Sequence, residues 1–188
     1  MSPPDERELL AIRAEFPAFR IVRKEGDPFS EWVGRILRVL TFGAQSAYVT
    51  RYHTVLGNTL YVPRSWDECS AIDRAVVLRH ERIHLRQFRR YTRVGMSLLY
   101  LIPILPMGLA WGRARLEWEA YRETIRATAE LRGIEAARDP ELERGIVRQF
   151  SSGAYGWMWP FPKTVTRWVR AAVEECALEA AASKDPAP

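Results

Sequence analysis

The segment His80-Glu81-Arg82-Ile83-His84 limits the possible folds of this chain more than any other part of the sequence. It lies within a long helical pattern, and side chains four residues apart on a helix point within about 40° of each other. The two imidazoles therefore share one face and can hold one metal ion. Because a catalytic zinc ion usually has three protein ligands, the sequence predicts that a second element brings another ligand beside this helix. Glu81 is the candidate to take a proton from the attacking water.

Gln87 and six arginines occupy opposite sides of the same predicted helix. On a helical wheel, His84, Gln87 and Tyr91 fall within about 40° of His80. Gln87 is therefore a candidate for orienting a ligand or stabilising a transition state. The arginine face consists of Arg79, Arg82, Arg86, Arg89, Arg90 and Arg93. We interpret it either as a solvated surface or as a contact with anionic lipid headgroups.

Glu117 is the predicted third ligand. A second amphipathic pattern runs over residues 113–132 and places Glu117 in the middle of its uncharged face, whereas Glu119 lies on the charged face. A carboxylate on an uncharged face is unfavourable unless it is paired or bound to a metal. His53, on a predicted strand, is an alternative ligand. Tyr121 lies one turn beyond Glu117 and is predicted either to hydrogen-bond a ligand or substrate, or to pack in the core.

These motifs resemble known metallopeptidases. H-E-x-x-H followed by a later Glu117 resembles the gluzincin group, and the segment from His80 to Gln87 resembles small bacterial metallopeptidase domains with H-E-x-x-H-x-x-Q. The segment 117–121 is similar to the E-x-x-A-D motif of CAAX-prenyl-protease-type membrane gluzincins, with Tyr121 where that motif has aspartate. The resemblance covers residues 59–125. It implies a zincin-like fold, zinc on His80, His84 and Glu117, and hydrolysis of peptide bonds by a zinc-activated water with Glu81 as general base.

The run from Val94 to Gly112 contains no charged residue. A straight membrane crossing there would put Glu117 and His84 on opposite sides, so a shared metal requires the run to turn back. Pro103 and Pro106 mark the expected turn. The run is therefore predicted to form an apolar helical hairpin at about 94–112, whose tip either packs within the domain or enters one membrane leaflet.

The hydrophobic pattern predicts an α+β fold that is mostly helical. A small β-hairpin sheet is expected beside the long H-E-x-x-H helix, with a second ligand-bearing helix after it. Residues 1–182 are predicted to form a single zincin-like domain, followed by a disordered tail at 183–188. The expected helices are 4–16, 31–40, one beginning at Ser65 or Ser70 and running at least to Tyr91, 113–132, 141–150 and 164–182. The expected strands are 19–22, 46–56 and 59–62.

Composition limits the partners that this chain is expected to have. The net charge of +5 comes almost entirely from arginine, but no nucleic-acid-binding motif accompanies it, so nucleic acid is not an expected partner. The N-terminal residues carry three acidic side chains and no apolar stretch, which predicts cytoplasmic synthesis without a signal peptide. Two cysteines are too few for a secreted disulfide scaffold. The expected partner is a peptide or protein substrate, with peripheral contact to the inner face of a membrane as a further prediction.

Residues 151–162 form an aromatic, proline-rich segment that is expected to be a loop. This loop is predicted to close the core, to wall a substrate cleft or to lie at a membrane surface. Tyr155 within it is a candidate to stabilise the oxyanion of a tetrahedral intermediate. The alternative to an enzyme is a non-catalytic protein that binds a membrane surface through the apolar hairpin and the arginine face. Its metal site would then be structural or vestigial.

Overall fold

The computed structural model describes residues 2–25, 53–101, 111–152 and 158–184. These residues are mostly helical with a small three-stranded sheet, so the predicted α+β class is confirmed. In chain order the elements are α1 (Pro4–Glu15), β1 (Arg20–Arg23), β2 (Thr54–Leu56), β3 (Thr59–Val62), a 3-10 helix (Arg64–Glu68), α2 (Ala71–Leu101), α3 (Trp111–Arg132), α4 (Ile134–Ala137), α5 (Pro140–Ser151) and α6 (Pro162–Lys184). Several predicted features lie outside the described residues. They are the helix at 31–40, the first part of the strand at 46–56, the turn at Pro103 and Pro106, Tyr155, and the tail beyond residue 184.

The chain divides into two compact units, residues 1–93 and 94–188. The sheet belongs to the first unit and has the order β1-β3-β2. β2 and β3 form an antiparallel hairpin in which Leu56 pairs with Thr59, joined by the predicted two-residue turn. Gly57 at this turn has a φ of 60°, a conformation that glycine adopts without the steric penalty of a side chain. β1 pairs with β3 in parallel.

The first unit is built around apolar side chains from α1, the sheet and α2. Its buried members are Ile12, Phe16, Phe19, Val55, Leu60, Val62, Trp66, Leu78 and Leu85. In β3 both Leu60 and Val62 are buried, because alternate residues of a strand point to the same side of the sheet. α2 contributes Leu78 and Leu85 to this core, and His80 and His84 lie between these two residues in sequence.

The start of α2 is fixed by a capping box. The Ser70 hydroxyl accepts a hydrogen bond from the Asp73 backbone N–H at 3.1 Å, and its own proton is donated to the Asp73 carboxylate at 2.6 Å. This pairing satisfies an otherwise unpaired amide of the first helical turn, as the Ser70–Asp73 pattern predicts. The other predicted cap is wrong, because Ser65 lies inside the 3-10 helix, whose N-cap is Pro63.

Glu15 joins α1 to the arginine face of α2. Its carboxylate accepts hydrogen bonds from Arg82 and Arg86 at 2.8 Å and from Arg89 at 3.2 Å. The hydrogen bond from Arg86 is the largest of the effects that lower the pKa of Glu15 to about 2. Three arginines of the predicted arginine face are therefore paired with α1 rather than simply solvated.

α2 is interrupted at Thr92, nine residues before its end. Thr92 has φ 63° and ψ 168°, so the regular helix ends at Tyr91 and a second helical segment begins after it. A β-branched residue is unfavourable in this region of backbone space. The sequence did not predict this break, since Thr92 carries no proline or glycine signal.

The second unit is a helical assembly around Phe150. Two tryptophans pack beside Phe150, namely Trp118 of α3 and Trp168 of α6. Their ring centroids lie 5.5 Å apart, and each lies 6.3 Å from the ring centroid of Phe150. Arg122 of α3 donates to Glu175 of α6 at 2.6 Å. Compared with the predictions, α3 begins two residues earlier, α5 is one residue longer at each end and α6 is two residues longer at each end, so Ser183 and Lys184 of the predicted disordered tail are helical. α1 ends one residue earlier than predicted, and the short α4 was not predicted. None of the helices in the described ranges is both long enough and apolar enough to cross a membrane.

Candidate metal centre

His80 and His84 lie one turn apart on α2 with their ring nitrogens directed at each other. The two Nε2 atoms are 3.2 Å apart, and the ring centroids are 5.0 Å apart at an interplanar angle of 71°. His84 is 7% exposed, whereas His80 is half-buried. The predicted shared face of the helix is therefore present, and it brings both nitrogens to one point.

Gln87 lies within hydrogen-bonding distance of the His84 ring. Its side-chain oxygen lies 2.9 Å from Nδ1 of His84, and both residues are buried. A carbonyl oxygen can only accept, so Nδ1 of His84 carries the proton and donates it to Gln87. The Nε2 atom is left with a lone pair facing His80, which is the form of histidine that binds a metal. This contact is consistent with an orienting role for Gln87, which stays a prediction.

Glu117 completes a group of three potential ligands. Among the described residues, His80, His84 and Glu117 each offer one ligand atom, and these atoms lie within 4.8 Å of one another. Two other carboxylates of α3 face arginines instead: Glu119 lies 3.9 Å from Arg115, and Glu123 lies 4.0 Å from Arg126. The group that could hold a metal ion therefore contains the glutamate predicted from the uncharged face of the wheel.

The donor set fits a zinc ion. Two imidazole nitrogens and one carboxylate oxygen are ligands that zinc takes in catalytic sites, with Zn–N bonds of about 2.0–2.1 Å. Two nitrogens at that distance in a tetrahedral arrangement are about 3.3–3.4 Å apart, which is close to the 3.2 Å between the two Nε2 atoms. Two neutral imidazoles and one carboxylate also complement a cation, because together they carry one negative charge. The same donor set binds iron(II) in some oxygenases, so the donors alone define a divalent-metal site.

Glu81 lies between the two histidines in sequence and is 6% exposed. A buried carboxylate needs compensation from hydrogen bonds or opposite charge. One opposite charge is that of Lys24, which follows β1 and is wholly buried. Burial lowers the pKa of Lys24 to about 8, and the negative charge of Glu81 acts against this lowering. Lys24 was not predicted to lie near this site, and its one local signal is that it is one of three lysines among 28 basic residues.

The other predicted site residues lie elsewhere. His53 is not part of the ligand group formed by the described residues, and its ring packs against Trp66 with centroids 5.4 Å apart. Burial lowers the pKa of His53 to about 4, and the charge of Lys24 contributes in the same direction. Tyr121 packs its ring against Phe150 at 5.6 Å, which fits the core-packing alternative.

Comparisons with known proteins found no relative of this chain. No family model, no curated protein and no solved structure matches this chain. The resemblance to gluzincins therefore rests on the two short motifs and on the ligand group that contains their residues. A zincin-like fold and membership of that group are proposals.

Proposed function

We propose that this chain is a zinc-dependent metallopeptidase of the gluzincin type. The observation that carries the proposal is the group of His80, His84 and Glu117, accompanied by the buried Glu81 carboxylate on the same turn of α2 as the histidines. A two-histidine, one-carboxylate site with an adjacent glutamate is suited to hydrolysis, because the ligands and the base are separate residues.

Zinc held by His80, His84 and Glu117 would act as a Lewis acid that activates water and polarises the carbonyl group of the substrate. The protein residues supply the remaining steps. Glu81 accepts the proton of the attacking water and later donates it to the leaving amine. Gln87 keeps the proton of His84 on Nδ1, so that Nε2 remains available as a ligand. The proposed substrate is a peptide or a protein.

Metal content tests the site itself. Wild type and variants are purified, supplied with zinc, desalted and analysed by mass spectrometry for zinc and iron. We expect one zinc ion per wild-type chain, its loss in Glu117→Ala, and its retention in Glu119→Ala, which is a matched control two residues away on α3. A wild type that stays metal-free, or a Glu117→Ala variant that binds zinc as tightly as wild type, would contradict the ligand assignment. Preferential binding of iron would contradict the proposal that zinc is the metal bound at this site.

Cleavage of a proteome-derived peptide library, followed by mass spectrometry, tests the reaction. We expect cleavage by the zinc-loaded wild type, and a Glu81→Gln variant that retains zinc but is at least about 100-fold slower, because the general base is removed. The His84→Ala variant should lose both zinc and cleavage. A Glu81→Gln variant that cleaves at the wild-type rate would refute the role of Glu81, and a zinc-loaded wild type without cleavage would refute the peptidase.

A further inference from the structure

Trp111 lies on the outer side of the first turn of α3. It is 49% exposed, whereas the other tryptophans of the described ranges are buried or half-buried. The opposite side of the same part of α3 is packed, because Ala114 and Leu116 are buried. The start of α3 is therefore anchored in the second unit while Trp111 faces solvent. An exposed tryptophan on an ordered element is typical of interfaces, where one end of the ring is apolar and the other is wet.

Arg115 lies one helical turn beyond Trp111 on the same outer face. Its Cζ atom lies 5.6 Å from the centroid of the Trp111 ring, which is a cation–π distance. Its side chain is 62% exposed, and its ion pair with Glu119 is long, with Nε and Oε1 3.9 Å apart. Because a long, exposed ion pair is weak, the guanidinium group of Arg115 can also bind an anion of another molecule.

The charge at the start of α3 is positive. Residues 111–116 contain Arg113 and Arg115 and no acidic residue. The first turn of a helix carries a partial positive charge of its own, which acidic side chains ordinarily complement. Two arginines there are complementary to an anionic surface. In the sequence, residues 102–110 contain no polar side chain and lead directly to Trp111.

We propose that Trp111 and Arg115 contact the surface of an anionic phospholipid bilayer, with Arg113 adding to the local positive charge. Tryptophan favours the headgroup level of a bilayer, and arginine is attracted to anionic lipids there. The apolar sequence before Trp111 and the arginines after it are the order of side chains found where a chain leaves the bilayer interface for water. The inference goes beyond the proposed function and depends on neither zinc nor hydrolysis.

Cosedimentation with vesicles tests the contact in the full-length, zinc-free protein. The vesicles contain phosphatidylcholine alone, or phosphatidylcholine with roughly one-third phosphatidylserine. We expect wild type to bind the anionic vesicles, to bind less as salt is added, and to leave the neutral vesicles unbound. Trp111→Ser should weaken binding about 10-fold, because apolar surface no longer enters the interface. Arg115→Gln should weaken it about fivefold.

Two control variants separate this contact from general attraction to a basic protein. Leu178→Ser removes an apolar side chain of α6 that is 63% exposed. Arg144→Gln removes an arginine of α5 that is 58% exposed and, like Arg115, is paired with a carboxylate on its own helix. Both should bind anionic vesicles as wild type does. Losses in these controls equal to those of Trp111→Ser and Arg115→Gln would overturn the inference.

A second measurement keeps the inference testable if Trp111→Ser fails to fold. Wild type labelled with 5-fluorotryptophan is studied by fluorine-19 NMR, and the Trp111 resonance is the one that is missing in Trp111→Phe. Anionic vesicles with a spin label on the lipid headgroup should broaden this resonance and leave that of Trp118, which packs against Phe150, sharp. A Trp111 resonance that stays sharp, or a wild type that binds no vesicles, would overturn the inference and indicate a protein partner for this face. Zinc content and peptide cleavage enter neither test, so failure of the proposed function leaves both outcomes readable.

Discussion

Replacement of Glu15 by glutamine should destabilise the first unit in a pH-dependent way. Glu15 accepts hydrogen bonds from three arginines of α2, and its pKa is lowered from 4.5 to about 2. A shift of this size corresponds to about 3 kcal/mol at neutral pH if the charge were fully shielded from solvent. Because the side chains of Arg86 and Arg89 are 47% and 62% exposed, solvent screening reduces the expected loss to about 1–2 kcal/mol.

The sign of the pH dependence follows from the direction of the shift. A carboxyl group with a lowered pKa in the folded state stabilises the protein above its unfolded pKa, and this contribution is lost as the pH falls from about 4.5 to 2. Glu15→Gln should therefore differ from wild type at pH 7 and converge with it near pH 2. Urea unfolding followed by circular dichroism measures the difference, with the exposed Glu6→Gln on the same helix as control. Equal stability at pH 7, or a difference that persists at pH 2, would refute the reasoning.

Three further predictions concern α2 and its surroundings. Gln87→Leu removes the acceptor of the His84 proton, so zinc affinity should fall about 10- to 100-fold in a chelator competition assay. Arg90→Leu is the control, and a loss of affinity in Gln87→Leu no larger than in this control would argue against an orienting role. Burial lowers the pKa of Lys24 to about 8 in the folded state, against an ordinary value of 10.5. The folded state therefore releases this proton at a lower pH than the unfolded state, and wild-type stability should rise by up to about 3 kcal/mol between those pH values. Lys24→Met should lack this rise in urea unfolding, and parallel pH dependences of the two proteins would disprove the prediction. Thr92→Gly should raise the thermal midpoint of unfolding, because glycine relieves about 1 kcal/mol or more of strain at a positive φ. The control Thr124→Gly, inside α3, should lower the midpoint. Equal losses in the two variants would show that Thr92 is not strained.

Short-range patterns in the sequence were enough to predict most of the described secondary structure. The hairpin around Gly57 and Asn58 forms as expected because a two-residue turn and its flanking strands are local. Ser70 caps α2 for the same reason. His80 and His84 share a face because the helical period alone places them there. These features depend on residues fewer than five positions apart.

The role of Glu117 could be predicted from the sequence only in part. Its position on an uncharged helical face indicated that something compensates its charge, and this favoured it over Glu119. The sequence could not show which residues approach it, because they are more than thirty positions away along the chain. The tertiary structure places its carboxylate with the two histidines in one potential ligand group.

Only the tertiary structure reveals the features that join distant segments. Arg82, Arg86 and Arg89 look like a solvent-exposed face on a helical wheel, yet they converge on Glu15, which is 67 to 74 residues away. Lys24 follows an ordinary strand pattern, and its burial beside Thr54 and its interaction with Glu81 arise from the pairing of β1 with β3. Periodicity determines which face a side chain occupies, because it depends on local backbone geometry. The partner of that face is determined by long-range packing, which leaves no local signal in the sequence.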